Sequence, residues 1–315
     1  MSASETNSSS QISLVTEKVA EWFELEARGS NWRTEILAGL TTFATMCYVL
    51  AVNPTILAQT GMDKSELITA TALSAGLFSI LMGTIAKLPI AQAPGMGANA
   101  LFTYTIVLAA GVPWQAALGL VFWSGIIFLL LTLIGLREIL LNAFPNAIKA
   151  GMTAGIGLFI AFIGLKNAGL IIPAEGMLMI QLGELYQPEA LFGLGGLIVT
   201  IALMARRLPG AILIVLSALT IIGMFVETKA GIPVTEMPRA IVAEPVWLDT
   251  LWLALDPVHL LNHLSILLPA LLTLLFLDLF SSLVSINAMC LRAGLVNKQG
   301  DIENPKRALS ADALA

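Results

Sequence analysis

Charge is scarce in this chain: 12% of its 315 residues are Asp, Glu, Lys or Arg, where a soluble globular protein carries about 25%. That shortage excludes an ordinary water-solvated surface. The two cysteines, Cys47 and Cys290, fall within or at the end of apolar stretches, which excludes a disulfide framework and leaves them as small packing residues. The two histidines, His259 and His263, have i, i+4 spacing that could hold a metal. No Glu follows the first and no third ligand is evident, so interfacial polar residues are the simpler reading. There is no Ser-His-Asp set, zinc motif or carboxylate pair, so the chain does not read as an enzyme and no organic cofactor or metal is called for. The net charge of −5 gives no reason to expect a nucleic-acid partner. The first 30 residues are polar and serine-rich and lack an apolar core ahead of a cleavage site, so no cleaved signal peptide is expected.

What the chain has in abundance is apolar sequence, at 57% of residues and a mean hydropathy of +0.87. Stretches long enough for a roughly 20-residue crossing fall at 35–58, 68–86, 97–111 with a broken 88–96 before it, 114–136, 147–166, 190–208, 210–226 and 264–289. The chain is therefore expected to be an all-α polytopic membrane protein of about eight spans, the third interrupted. Of the 16 basic residues, only Lys64, Lys166, Lys229 and Arg239 fall on the side opposite the N-terminus, and this bias places the N-terminus in the cytoplasm. Val15, Val19, Trp22 and Phe23 share helical spacing within 15–27, which suits a helix lying on the membrane surface; a disordered tail is the alternative. The stretch 227–263 carries Pro233, Pro238, Pro245 and Pro257 with Trp247 and Trp252, as a re-entrant or surface-lying segment would.

The break in the third span is the most informative feature. Residues 88–104 place Pro89, Pro94, Gly95 and Gly97 beside Gln92 and Asn99, and a helix cannot run unbroken through them. Backbone groups freed at membrane depth are tolerated only where protein or a polar cavity satisfies them. Gln92 and Asn99 offer amide donors and acceptors to a planar polar ligand, or alternatively bond another span as interhelical glue. Tyr48, Asn53 and Pro54, late in the first span, line a cavity or merely end the helix. Asp278 is the only acidic side chain deep in any span. Ser281, Ser282 and Ser285 follow at offsets that share its helical face. A carboxylate there either exchanges protons, since burial raises its pKa, or satisfies a freed backbone donor or a neighbouring helix. Gly151, Gly155, Gly157 and Gly164 read as a close-packing stripe.

Five segments stand in order along the chain: Asn31-Trp-Arg-Thr-Glu-Ile-Leu-Ala-Gly-Leu, Tyr48-Val-Leu-Ala-Val-Asn-Pro, Ala93-Pro-Gly-Met-Gly-Ala-Asn99, Pro145-Asn-Ala-Ile-Lys-Ala-Gly and Leu274-Leu-Phe-Leu-Asp-Leu-Phe280. Together they resemble the AzgA-like purine permeases of the nucleobase–cation symporter-2 family. The resemblance implies uptake of guanine, hypoxanthine or adenine with protons, in a 14-span fold of two inverted seven-span repeats. This chain would supply the first repeat and the first span of the second. It implies a cytoplasmic N-terminal segment (1–34), core-domain spans one to four (35–136), gate-domain spans five to seven (137–226), an outer loop (227–263), core-domain span eight (264–290), and a cytoplasmic loop leading into a ninth span (291–315). Gly95, Met96, Gly97 and Asn99 would contact the purine from the broken span, and Asp278 and Ser282 from the eighth. Tyr48 and Gln92 would complete the wall, and Asp278 would couple the proton, the only coupling ion implied. A homodimer in the cell membrane fits by analogy.

Two departures qualify the resemblance. Ser281-Ser282 stands where family members often have Asp-Thr, and the chain stops where the ninth span would begin. An N-terminal part of a transporter is therefore expected. A carrier of another solute or anion on the same fold, or a non-transporting membrane fragment, are the alternatives.

Overall fold

Caps written in the sequence decide where the helices start. Asn31 Oδ1 accepts from the Thr34 N–H at 3.0 Å, and Asp63 Oδ1 from Ser65 and Glu66 at 2.9 and 3.0 Å, satisfying donors that a helix N-terminus leaves open. Pro113 and Pro145 immediately precede two further helices, and Pro188 sits in the first turn of a third, where its missing N–H removes no helical bond.

The computed structural model describes residues 17–135, 145–174, 180–208, 210–228, 231–235, 244–247, 264–296 and 305–314. A short helix α1 covers 17–22. It is followed by α2 (Trp32–Thr60), α3 (Lys64–Ala86), α4 (Met96–Ala109), α5 (Trp114–Leu133) and α6 (Asn146–Asn167). Strands β1 (Ile171–Pro173) and β2 (Ile180–Leu182) come next, then α7 (Pro188–Ala205), α8 (Ala211–Gly223), α9 (Leu264–Ala293) and α10 (Pro305–Leu314).

Each predicted apolar stretch is helical over most of its length. By length and composition α2, α3, α5 and α7 are able to cross a bilayer. Their outer faces are apolar: Ile36, Leu37, Leu40 and Phe43 on α2 and Leu73, Leu77 and Ile80 on α3 are each more than half exposed. Contiguous apolar surface of that kind belongs against lipid rather than water. The chain is a multi-pass membrane protein.

Two interruptions shape the helices. In α2 the chain turns at Cys47–Tyr48, where Leu50 and Ala51 donate three residues back to Cys47 and Tyr48 at 3.1 Å. Pro54 lies just beyond and has no N–H to give. The third stretch leaves the helix altogether. Lys87 adopts a left-handed conformation (φ 53°) at the end of α3, and the chain stays out of regular structure until Gly95, extended at φ −71° and ψ 108°, opens α4. The break thus lies ahead of Met96 and Gly97, which occupy the first turn of the new helix. From Leu101 to Ala109 α4 is π-wound.

The core runs along α3, α4, α5 and α9. Leu67, Phe102, Ile106, Ala117, Leu120 and Leu274 form its centre, and Phe128 continues it against Leu279 and Phe280. At the opposite end Met82, Ala86 and Leu88 pack with Ile286, Cys290 and Leu309, so Cys290 is a buried packing residue as expected. Helices α7 and α8 pack on each other at Gly196, where an added Cβ would come 2.5 Å from Leu219 Cδ1.

The glycine stripe of α6 is a correction. An added Cβ at Gly151, Gly155, Gly157 or Gly164 would meet nothing within 4 Å, so close packing is not what these glycines do among the described residues. The antiparallel pairing of β1 with β2 was not foreseen, although Ile171-Ile172 is a β-branched pair suited to it. Within the described part of the predicted 15–27 surface helix, 17–22 is helical, with turns to Gly29. His259, His263 and Trp252 lie outside the described residues, whereas Trp247 is 83% exposed.

Candidate functional site

Asn53, next to the helix-breaking Pro54, is 2% exposed. Its Nδ2 donates to Thr71 Oγ1 on α3 at 2.8 Å, the Thr71 hydroxyl donates to the Leu67 carbonyl at 2.6 Å, and Asn99 Nδ2 on α4 donates to Asn53 Oδ1. The polarity of this relay is fixed by its end. Thr71 has one hydroxyl proton, committed to Leu67, so it must accept from the Asn53 amide, which leaves the Asn53 carbonyl to receive Asn99. The half-buried Asn99 makes no other side-chain hydrogen bond among the described residues. Its carbonyl oxygen and second amide proton are therefore available at the start of α4. The glue reading of Asn99 thus accounts for one of its amide protons.

The approach to α4 is held by a residue the sequence did not single out. Ser79 Oγ accepts from the Gln92 N–H at 2.8 Å and donates to the Gln92 carbonyl at 3.3 Å, satisfying both backbone groups of one residue in the non-helical stretch. The Gln92 side-chain amide is half-buried and makes no hydrogen bond among the described residues. Gly95 is exposed, with nothing within 4 Å of an added Cβ. Met96 is half-buried, Gly97 is buried, and Tyr48 stands half-buried at the kink of α2.

Three elements converge on the first turn of α4: the second half of α2, helix α6, and α9, which carries Asp278. Asp278, Ser281 and Ser282 are half-buried while Ser285 is exposed, so the polar face of α9 is shorter than the sequence spacing implied. Ser281 Oγ donates to the Asp278 backbone carbonyl at 3.4 Å, a local bond that uses its one hydroxyl proton. Phe276 and Phe280 stack at 6.4 Å on the same helix.

Polar atoms without protein partners lie close by in the chain. Thr103 Oγ1 and Tyr104 Oη on α4 and Ser124 Oγ on α5 are buried and unpaired among the described residues, and Lys166 Nζ lies 5.3 Å from the Tyr104 ring centroid. Buried hydroxyls of this kind call for water or a ligand. Thr103 and Tyr104 stand in the run Leu101-Phe-Thr-Tyr-Thr-Ile106 and Ser124 between Trp123 and Gly125, and only a reading that treated every mid-span hydroxyl as suspect would have found them. Among the described residues no group of three His, Cys, Asp or Glu could hold a metal ion.

The chemistry on offer is amide donors and acceptors beside open space at Gly95, with a carboxylate-bearing helix adjacent. Comparison with known proteins bears on what it serves. A model described as "Permease family" matches residues 33–315. The chain is 41% identical over 300 residues to a Methanocaldococcus jannaschii protein named as a permease, with 95% of this chain and 67% of that one covered. It is 34% identical over 294 residues to the adenine permease AdeP of Escherichia coli (93% and 64%). To the guanine/hypoxanthine permease PbuG of Bacillus subtilis it is 37% identical over 307 residues (93% and 67%). It thus spans about two thirds of the length of the curated relatives it matches.

Proposed function

The chain belongs to the Permease family, and from that premise we propose that it serves a carrier taking up purine nucleobases (guanine, hypoxanthine or adenine) by proton symport. The reading is of a complete carrier of its relatives' length, to which these residues contribute one wall of the site. The observation that carries it is the Asn53–Asn99 relay at the start of α4. It holds one amide in a fixed orientation with its free donor and acceptor side by side, the pattern that the edge of a purine base complements. The relatives named for adenine and for guanine and hypoxanthine support the substrate class.

In this reading Gly95, Met96, Gly97 and Asn99 form the platform. Gly95 leaves room for a flat ring, and Gln92 and Tyr48 border it. Asp278 and Ser282 face it from α9. Asp278 takes up a proton with the base and releases it on the other side, because a charged carboxylate at membrane depth is costly. Helices α2 to α5 with α9 make up the core that holds the platform, and α6 to α8 the gate. Eight crossings with a cytoplasmic N-terminus follow from the same scheme.

Uptake of radiolabelled hypoxanthine and adenine by cells expressing the complete coding sequence tests this, with uracil and sulfate as competitors and external pH varied. Uptake is expected to rise as external pH falls, to be competed by purines only, and to be lost in Asp278→Asn. Competition by sulfate would move the chain to the anion-carrier reading. Unchanged uptake with unchanged pH dependence in Asp278→Asn would remove the proton role given to that residue.

A further inference from the structure

A second polar cluster lies away from the platform, where α3 ends. Lys87 Nζ meets Glu24 Oε1 at 2.5 Å and stands 5.5 Å from the Trp22 ring centroid. Arg28 Nη1 donates to the Lys87 carbonyl at 2.7 Å, and its Nη2 lies 3.8 Å from Glu24 Oε2. The buried Leu25 pins the turn between them. Beside this cluster is a cavity of about 80 Å³, lined by Arg28, Lys87, Arg307 and Glu24 with Leu88 and Leu295.

Three features define what the cavity fits. Its charge is three cations against one carboxylate, and Arg307 makes no ion pair or hydrogen bond among the described residues. Its volume is far below the roughly 300–1,000 Å³ of a site for a drug-sized ligand and suits one tetrahedral oxyanion. Its position is the boundary where α3 and α9 end and α10 begins. There Trp22, 59% exposed, stands as indoles do at the headgroup level. Arginine forks match phosphate oxygens, and the mostly polar lining suits a phosphate, with the Trp22 indole and the ends of the apolar helices placing it where lipid headgroups lie.

We propose that Arg28, Lys87 and Arg307 form a binding site for the phosphate of an anionic phospholipid, with Glu24 as the carboxylate that competes for it. Glu24 already shows the kind of group the cations hold. A lipid bound here ties the N-terminal turn to the ends of α3 and α9 and to the residue that opens the non-helical stretch. This site is independent of the purine reading and stands or falls separately.

Native mass spectrometry of the purified complete protein, with phosphatidylglycerol and phosphatidylcholine of matched acyl chains, tests it. Phosphatidylglycerol should be retained in preference, and R307Q should cut that preference by roughly fivefold, the effect of one basic residue at an anionic surface. R307K should keep it. Arg307 has no bond among the described residues to lose, so its substitution reports on the lipid rather than on folding. E24Q should raise the preference. Equal retention of the two lipids, or an unchanged preference in R307Q, overturns the proposal. Displacement of the lipid by millimolar inorganic phosphate overturns the lipid assignment in favour of a soluble oxyanion.

Discussion

Replacing Asn53 by leucine separates the two roles of the amide relay. The change removes the donor to Thr71 and the acceptor for Asn99 at nearly constant size. Interhelical hydrogen bonds in bilayers average about 0.6 kcal/mol and reach about 1.7, so losing two costs on the order of 1–3 kcal/mol. Thr71 keeps its donation to Leu67, and the half-buried Asn99 can turn toward the cavity, which puts the value in the lower half of that range. Freed from Asn53, Asn99 must be ordered again when a base binds, at about 0.5–1.5 kcal/mol for one side chain. Purine affinity should therefore fall roughly threefold to tenfold. In the double variant Asn53→Leu/Asn99→Leu both partners are apolar, so stability should largely return while purine affinity falls further. The assays are thermal unfolding in detergent and calorimetric titration of hypoxanthine and adenine into the complete protein. A double variant that recovers stability and still binds purine with wild-type affinity would refute the argument, because Asn99 would then be glue and nothing more.

Three other outcomes follow from geometry already described. Ser79→Ala leaves the Gln92 N–H without its partner and should lower stability by about 1–3 kcal/mol, read from the unfolding midpoint; an unchanged midpoint would mean that the clasp holds nothing. Gly95→Ala should fold as wild type, since its backbone angles suit any residue and an added Cβ meets nothing within 4 Å, yet it should weaken purine binding by intruding on the open side; full binding would take Gly95 out of the platform. Glu24 is held below the usual carboxylate range by its hydrogen bond to Lys87, then by the charges of Lys87 and Arg28. A lowered folded-state pKa means that the Glu24 contribution is complete above the unfolded value and is lost as pH falls through the folded one. The fluorescence of Trp22 as sole tryptophan should be flat from about pH 8 to about pH 5 and change only below the ordinary carboxylate range. A transition near neutrality would show that another group controls the turn.

The apolar runs made the helices legible because hydropathy and length are local properties. The interruption before α4 was equally legible, since Pro89, Pro94 and Gly95 act on their own backbone wherever the chain folds. Pairings were not. Asn53 lies 46 residues from Asn99 and Glu24 lies 63 from Lys87, and no spacing rule connects positions so distant. Asn53 was noticed as polar and near a proline without its partner being identifiable. Ser79 was missed because one hydroxyl in an apolar helix looks like any other until the carbonyl it serves is in place. The α6 glycines misled for the opposite reason: a small-residue pattern permits close approach but does not supply the neighbour, whereas Gly196, with no such pattern singled out, has Leu219 against it.

The non-helical stretch also changes how far the chain can reach. As one helix, residues 87–109 would measure about 35 Å, close to a single crossing of the roughly 30 Å hydrocarbon core. Extended, the nine residues 87–95 alone can cover up to about 30 Å at about 3.3 Å each, against about 14 Å if helical. The two limits differ by about 16 Å. A continuous helix would be a strut, transmitting every displacement of Asn99 to the end of α3. The chain built here is a tether, fastened at Lys87 and clasped at Gln92, which breaks that rigid connection ahead of Asn99.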